Sequence, residues 1–302
     1  MSNADESESL FLRLRRVSAT RRLMASTTAV AAVLWFYFVL SHVQLFSASF
    51  IKADNLKRKN GIRLPRPIHG TPSNISWDFL ILAVQWPQSF CYELLDLKYT
   101  NACKVPAEAT KWTLHGLWPT KYNGDDVFNC NTTYPFNETE IQDLMTDLQA
   151  HWPDVLDPDG TKLWAHEWNK HGTCAGILPE LDGEHNYFSK TMQILESFKF
   201  DSIFKANHVE PSATKIYKAD NFTEAISKSL GFEPVLQCYT TINETEQTTF
   251  IEEVEICLNK TFQVIQCPVS PLKKNNQFGL QGNCGKRDIY YPPIISPEMR
   301  IN

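Results

Sequence analysis

Apolar and polar positions follow three rhythms along this chain. From Leu23 to Ile51 there is no Asp, Glu, Lys or Arg, and the run AVAAVLWFYFVL at its centre (29–40) shows no polar face. Such a run predicts a membrane span or the apolar part of a signal peptide rather than a buried core helix. The stretch WDFLILAVQWP (77–87) is continuously apolar between turn residues, with Gln85 as the polar exception, and predicts a buried central strand. KWTLHGLWPT (111–120) is strand-like through Leu114 and is expected to break at Gly116 and Pro119. That leaves His115 at a strand end, beside a glycine where backbone can approach a ligand closely.

Helical spacing takes over next. Ile141, Leu144, Met145 and Leu148 predict an amphipathic helix over 137–152. DPDG (157–160) is a loop, and LWAHEWNKHGTC (163–174) follows as a helix ending near Gly172. Tyr187, Met192, Ile194, Leu195 and Phe198 predict a helix over 186–198. A shorter one over 222–230 stops at Gly231, with Asn221 as candidate N-cap and Glu224 at capping-box spacing. The last third alternates as strands in PVLQCYT, TTFIEEVEICL and TFQVIQC, the latter two forming a hairpin over 250–258 and 262–267. There is no internal repeat and no low-complexity tract.

The 302 residues are enough for one large domain or two small ones, and 43% hydrophobic with 21% charged residues is an ordinary globular balance. The formal net charge of −5 argues against a protein held on nucleic acid by bulk positive charge, though not against one that grips a phosphate locally. The expected organisation is a cytosolic tail (1–22), a signal anchor or signal peptide (23–46), a basic linker (47–73) and a folded domain (74–302). Basic residues flank the apolar run on both sides, so charge does not orient it. The polar lead before it is long for a cleaved peptide, which favours an uncleaved type II anchor with the domain in the lumen; cleavage would give a secreted or endolysosomal protein.

Eight cysteines and six N-x-S/T sequons, at Asn74, Asn131, Asn137, Asn221, Asn243 and Asn259, place the domain in the secretory pathway. Cys91 and Cys103 bracket a short loop that a local bridge would close. Bridges Cys238–Cys284 and Cys257–Cys267 would nest, but spacing alone does not fix the connectivity.

The densest chemistry lies in 163–174. At about 100° per residue, Glu167 and His171 share one helical face, Lys170 lies about 60° from Glu167, and His166 flanks them. One carboxylate, one ammonium and two imidazoles suit acid/base work on an anion. The spacing is H-E-x-x-x-H, not the H-E-x-x-H of zinc proteases. On a regular helix His166 and His171 stand about 140° apart, so no shared metal is expected. A solvated face with surface ion pairs would explain Glu167 and Lys170, but not two histidines as well.

His115-Gly116-Leu117-Trp118-Pro119 and His166-Glu167-Trp168-Asn169-Lys170-His171-Gly172-Thr173-Cys174, together and in this order, resemble the two catalytic segments of the ribonuclease T2 family. The resemblance runs from about Trp77 to Tyr291 and is closest to animal members. It implies an α+β fold with a central antiparallel sheet and surrounding helices, and a Cys130–Cys174 bridge. Closing that loop of about 45 residues would constrain the unfolded chain by roughly 4 kcal/mol.

The resemblance further implies a metal-independent endoribonuclease, without cofactor, that cleaves single-stranded RNA through a 2′,3′-cyclic phosphate to 3′-phosphate ends. His171 would be the base and His115 the acid; His166 would contact phosphate, and Glu167 and Lys170 would stabilise the transition state. Trp118 would stack on a base, and Gln85 would contact a second one. DNA lacks the nucleophile, and a monomer is expected. Thr120 stands where many members carry an acidic or amide residue, and Leu163 where many carry Phe. Neither touches the core chemistry, but both bear on base preference. The competing reading is a glycoprotein ligand or ectodomain that uses this scaffold for binding alone.

Overall fold

A computed structural model of the chain describes residues 75–97, 105–123, 127–158, 160–242, 247–268 and 282–295. All of them lie in the unit from Pro65 to Asn302. The apolar segment 23–46, the basic linker, Asn74, Cys103 and Asn243 fall outside the described residues.

The sheet is assembled around strand β1 (Phe79–Gln85), buried along its length except at Gln85. A continuously apolar strand must be covered on both faces. On one face Leu80, Leu82 and Val84 join the main core with Tyr187 and Phe188. On the other, Phe79 and Ile81 pack with Val235, Cys257, Cys267 and the partly buried Trp118. β1 lies between two antiparallel neighbours, β2 (Thr113–Thr120) and β5 (Thr249–Leu258).

On its far side β5 pairs with β4 (Val235–Thr240), and with the short β6 (Val264–Ile265) as the expected hairpin. The short strands β7 (Ile289–Tyr290) and β3 (Ile216–Tyr217) bring the sheet to seven strands among the described residues. The fold is α+β as expected, but the sheet is mixed: β7 runs parallel to β5 through Thr249↔Ile289 and Phe250↔Tyr290. The stretch of chain from β5 to β7 is long, as a parallel pair requires. The Cys238–Cys284 bridge fixes where that connection returns.

β2 does not break at Gly116 and Pro119. As the outer strand of the sheet it tolerates a proline, whose missing N–H can face away from the ladder. What interrupts it is subtler. Ala83 pairs with Gly116 and Val84 with Leu114, so His115 is an extra residue without a partner on β1. That is a β-bulge, which re-aims a side chain.

The helices surround this sheet. α1 (Pro87–Asp96) starts with proline in its first turn, where no N–H is needed. The amphipathic stretch at 137–152 is split, a 3-10 turn over Glu138–Leu144 followed by α2 (Met145–His151). The stretch that carries the histidines is α3 (Lys162–Glu167), a π turn (Trp168–Gly172) and α4 (Thr173–Ala175), so it runs past Gly172. α5 (Glu184–Phe198) supplies the largest share of helical core, through Tyr187, Phe188, Met192, Ile194, Leu195 and Phe198.

α6 (Phe200–Ala206) precedes α7 (Ala219–Leu230), which begins earlier than expected: Lys218 is its N-cap, and Asn221 sits in the first turn with its Oδ1 accepting the Lys218 N–H at 2.8 Å. The helix does stop at Gly231, whose φ of 79° lies in the left-handed region. Bridges join Cys130–Cys174, Cys238–Cys284 and Cys257–Cys267; Cys91 is also bridged, and Cys103 lies outside the described residues.

Candidate active site

The π turn is where the site departs from a plain helix. The Thr173 N–H reaches back five residues to the Trp168 carbonyl, inserting one extra residue into the turn. Gly172 makes room: a Cβ there would come within 2.3 Å of the Trp168 ring. The Lys170 carbonyl, displaced from regular helical bonding, accepts the Asn129 N–H at 2.9 Å. The neighbouring loop holds the turn elsewhere too, with Trp168 Nε1 donating to the Tyr134 carbonyl and the Phe136 N–H donating to Asn169 Oδ1. The Cys130–Cys174 bridge closes the same contact covalently.

The turn alters which side chains meet. On a regular helix His166 and His171 would diverge, but here their ring centroids are 6.5 Å apart. Nitrogens of both rings and a Glu167 oxygen lie within 4.8 Å of one another. The helical-angle argument against a shared ion therefore does not hold for this segment, because the segment is not a regular helix.

Glu167 points inward and is 1% exposed. Its Oε2 accepts the Trp118 indole N–H at 2.9 Å, which ties the helix to β2. Gly116 is what permits this approach: a Cβ there would lie 2.1 Å from Trp118 Nε1 and 2.3 Å from Glu167 Oε2. The Trp118 ring stands edge-on to His115 at 5.0 Å and tilted against His171 at 5.5 Å, and so lies between the two histidines. On the other side of His115, its Nδ1 lies 2.6 Å from Glu253 Oε2 on β5. The Trp152 indole donates to the His115 carbonyl and fixes the bulge from below.

These surroundings push the two histidines apart electrostatically. Burial and then the nearby Lys170, His166 and His115 drive the His171 pKa down to about 2. Burial also opposes charge on His115, but the Glu253 carboxylate, with Glu167 and Glu252 behind it, outweighs burial and raises the pKa to about 9. His115 is thus a cation and His171 a neutral imidazole over the same wide range. Burial raises Glu167 to about 7, against the pull of His115, Trp118 and Lys170. His166, more than half exposed, is lowered by burial and by Lys170 and His115. The His171 Nδ1 is buried and makes no hydrogen bond within the described residues.

All five expected catalytic side chains, His115, His166, Glu167, Lys170 and His171, belong to this one cluster. Gln85 is close by: with His115, Phe90, Asp154, Lys162 and Leu163 it borders a cleft of about 560 Å³. Trp118 has a bond to Glu167 that the sequence did not suggest. Glu253 and the aromatic anchor Trp152 are residues that sequence reasoning missed. The one signal for Glu253 was three glutamates in an otherwise apolar strand. Of the sequons described, Asn131, Asn137 and Asn259 each hold the threonine two residues on, through Oδ1, in surface turns, whereas Asn221 is helical.

Comparison with known proteins places this arrangement. The model of the ribonuclease T2 family matches residues 77–267. Ribonuclease T2 of Danio rerio is 34% identical over 230 residues, covering 72% of this chain and 88% of the relative. Ribonuclease T2 of Homo sapiens is 34% identical over 200 residues, covering 66% and 73%. Among solved structures, human RNase T2 superposes with a TM-score of 0.56 at 29% identity, over 72% of this chain and 99% of that one. RNase NT, solved in complex with 5′-AMP, gives 0.59 at 29% identity, over 72% and 100%. The chain belongs to the ribonuclease T2 family, and its enzyme class is that of the endoribonucleases. Family membership over 77–267, rather than helix geometry, is what separates this segment from the zinc proteases.

Gly116→Ala tests the packing between the two halves of the site. The added methyl must part Trp118 from Glu167, so ribonuclease activity should fall by roughly 10²-fold, as expected for ångström-scale misplacement. Stability should drop by about 1–3 kcal/mol from overpacking. Unchanged activity in a folded variant, measured by RNA cleavage beside thermal melting, would show that this contact does not set the geometry.

Proposed function

We propose that this protein cleaves single-stranded RNA by transphosphorylation, with His171 as general base, His115 as general acid and no metal ion in the chemistry. RNA brings its own nucleophile, the 2′-hydroxyl. His171 accepts its proton as the oxygen attacks phosphorus, and His115 gives a proton to the departing 5′-oxygen. The placing of the two imidazoles on either side of Trp118 carries this reading: His115 lies against the Glu253 carboxylate, which favours its cation, and His171 is buried near Lys170, which favours its neutral form. A base must be neutral and an acid charged before the reaction begins, and here each starts in the form its role needs.

His166 and Lys170 meet the phosphate oxygens, where positive charge offsets the charge that develops in the phosphorane. Glu167 holds the cluster through Trp118 and tunes it. The cyclic phosphate is then opened by water with the two histidines exchanging roles, leaving a 3′-phosphate. Trp118 offers a face for one nucleobase, and the cleft at Gln85 and Leu163 takes the next. An aliphatic side chain at Leu163 gives less stacking than an aromatic one, which supports weak discrimination at that position. DNA, lacking the 2′-hydroxyl, is not a substrate.

The bridged cysteines and surface sequons support a lumenal or extracellular domain, and the uncharged segment 23–46 supports a membrane anchor that holds a monomeric enzyme at the lumenal face. Alkaline carbonate extraction of cells expressing the full chain reports on the anchor. The protein should stay in the membrane pellet at full length; release with a shortened N-terminus would mean the segment is a cleaved signal.

The enzymatic reading is tested with the disulfide-bonded protein, single-stranded RNA and excess EDTA, beside a His171→Ala control. Cleavage to cyclic-phosphate ends that the control lacks is the expected result. The pH optimum should lie on the acid side of about 6.5, because His166 is charged only below the ordinary imidazole range, whereas His171 stays neutral well into acid. Chelator-sensitive cleavage, or an optimum above about pH 8, would contradict the mechanism. No cleavage by a folded sample would favour a binding protein on this scaffold.

A further inference from the structure

β5 is a central strand with a peculiar composition. Ile251, Val254, Ile256 and Leu258 are buried core, yet Glu252, Glu253 and Glu255 lie among them. Carboxylates in the middle of a sheet are costly unless they are partnered. Glu253 is 7% exposed and stands in register with Gln85 on β1 and Gln237 on β4, neither of them charged. Its partner is His115, whose Nδ1 lies 2.6 Å from Oε2.

We propose that Glu253 is a positioning residue for the reaction: its carboxylate accepts the Nδ1–H of His115 and so fixes the ring with Nε2 toward the phosphate. The assignment rests on the reading of His115 as the general acid. His115 is the unpaired residue of a bulge, so register alone does not set its ring. The ring is fixed by two contacts, the edge-on packing with Trp118 and the bond to Glu253. A histidine bonded through one nitrogen presents the other, and His115 is among the residues bordering the cleft with Gln85 and Leu163.

The other carboxyl groups strengthen the arrangement instead of competing with it. Burial, then the charge of Glu253, raises Glu255 to about 8, and Gln237 donates to it at 3.1 Å. Burial, then a bond to Glu93, raises Glu252 to about 9. The Glu255 side chain also bonds to Glu253, so hydrogen bonds link Gln237, Glu255, Glu253 and His115 in turn. The charged or titrating groups around His115 are Glu252, Glu253 and Glu255 on β5, Glu167 and His166 on α3, His171 on the π turn, and Asp154, Asp157 and Lys162 in the adjoining cleft. Of these, Glu253 is the one in contact.

Glu253→Gln keeps the shape and an acceptor but removes the charge. It should lower kcat by about 100-fold, the low end of what a general acid contributes, with KM within roughly twofold. The His115 ring itself, followed by 15N NMR in the variant, should titrate closer to the ordinary imidazole range, and Glu253→Asp should recover part of the loss. Wild-type kcat with an unmoved His115 titration would overturn the proposal. Should the variant misfold, 15N NMR of the intact wild-type protein decides the matter. His115 should carry its proton on Nδ1 and titrate well above about 6.5; titration at or below that value would overturn the assignment. The NMR result stands whether or not the protein cleaves RNA, so failure of the dyad and failure of the ribonuclease reading are separately visible.

Discussion

The bond from the Trp118 indole to the buried Glu167 carboxylate joins the two sequence segments of this site into one. Trp118 stands on the outer strand of the sheet and Glu167 on the helix that packs against it. A carboxylate that is 1% exposed needs its partner. The partner can come so near only because residue 116 has no side chain. From this contact the rest follows. Trp118 is set between His115 and His171, Glu167 lies 4.0 Å from the neighbouring His166 ring at the end of α3, and the π turn brings His171 against the indole. The loop closed by Cys130–Cys174 then keeps the turn from relaxing to a regular helix.

The proposed chemistry depends on separating two identical side chains. Both histidines are half-buried and close to lysine, carboxylates and one another. His171 meets mainly apolar cover and cations, so it stays neutral; His115 meets Glu253, so it stays charged. The same shifts link the site to stability, with opposite signs. His171 has a depressed pKa, so its contribution is present above the ordinary imidazole range and is lost as pH falls toward about 2. Glu167 and His115 have raised values, so theirs is present in acid and is lost as pH rises through about 7 and about 9. The two trends offset one another in mild acid, where neither is far advanced.

Much of this was legible in the chain. The continuous apolar run 77–87 predicts the central strand because a short uninterrupted apolar run between turn residues suits a strand covered on both faces. The two histidine motifs carry the site because those residue types rarely fall together by chance. The failures have particular causes. The strand through Gly116 and Pro119 defeats turn propensities because an outer strand has no ladder on one side. The extra residue at His115 and the π turn are shifts of a single residue, invisible to a periodicity of 2 or 3.6. The His166–His171 approach was missed for the same reason. Glu253 lies far from both motifs in sequence and meets His115 through the register of β5 on β1 and the bulge of β2 on β1. The parallel strand β7 is set by a long connection whose path no local pattern encodes.

The most direct test of the account is a crystal structure with a dinucleoside phosphate whose 2′-hydroxyl is replaced by hydrogen, so that it binds without being cleaved. The account predicts the phosphate between His115 and His171, with the sugar C2′ toward His171, the 5′-oxygen toward Nε2 of His115, and His166 and Lys170 on the free oxygens. A phosphate bound elsewhere in the cleft, or with both ester oxygens on the same side as His171, would contradict it.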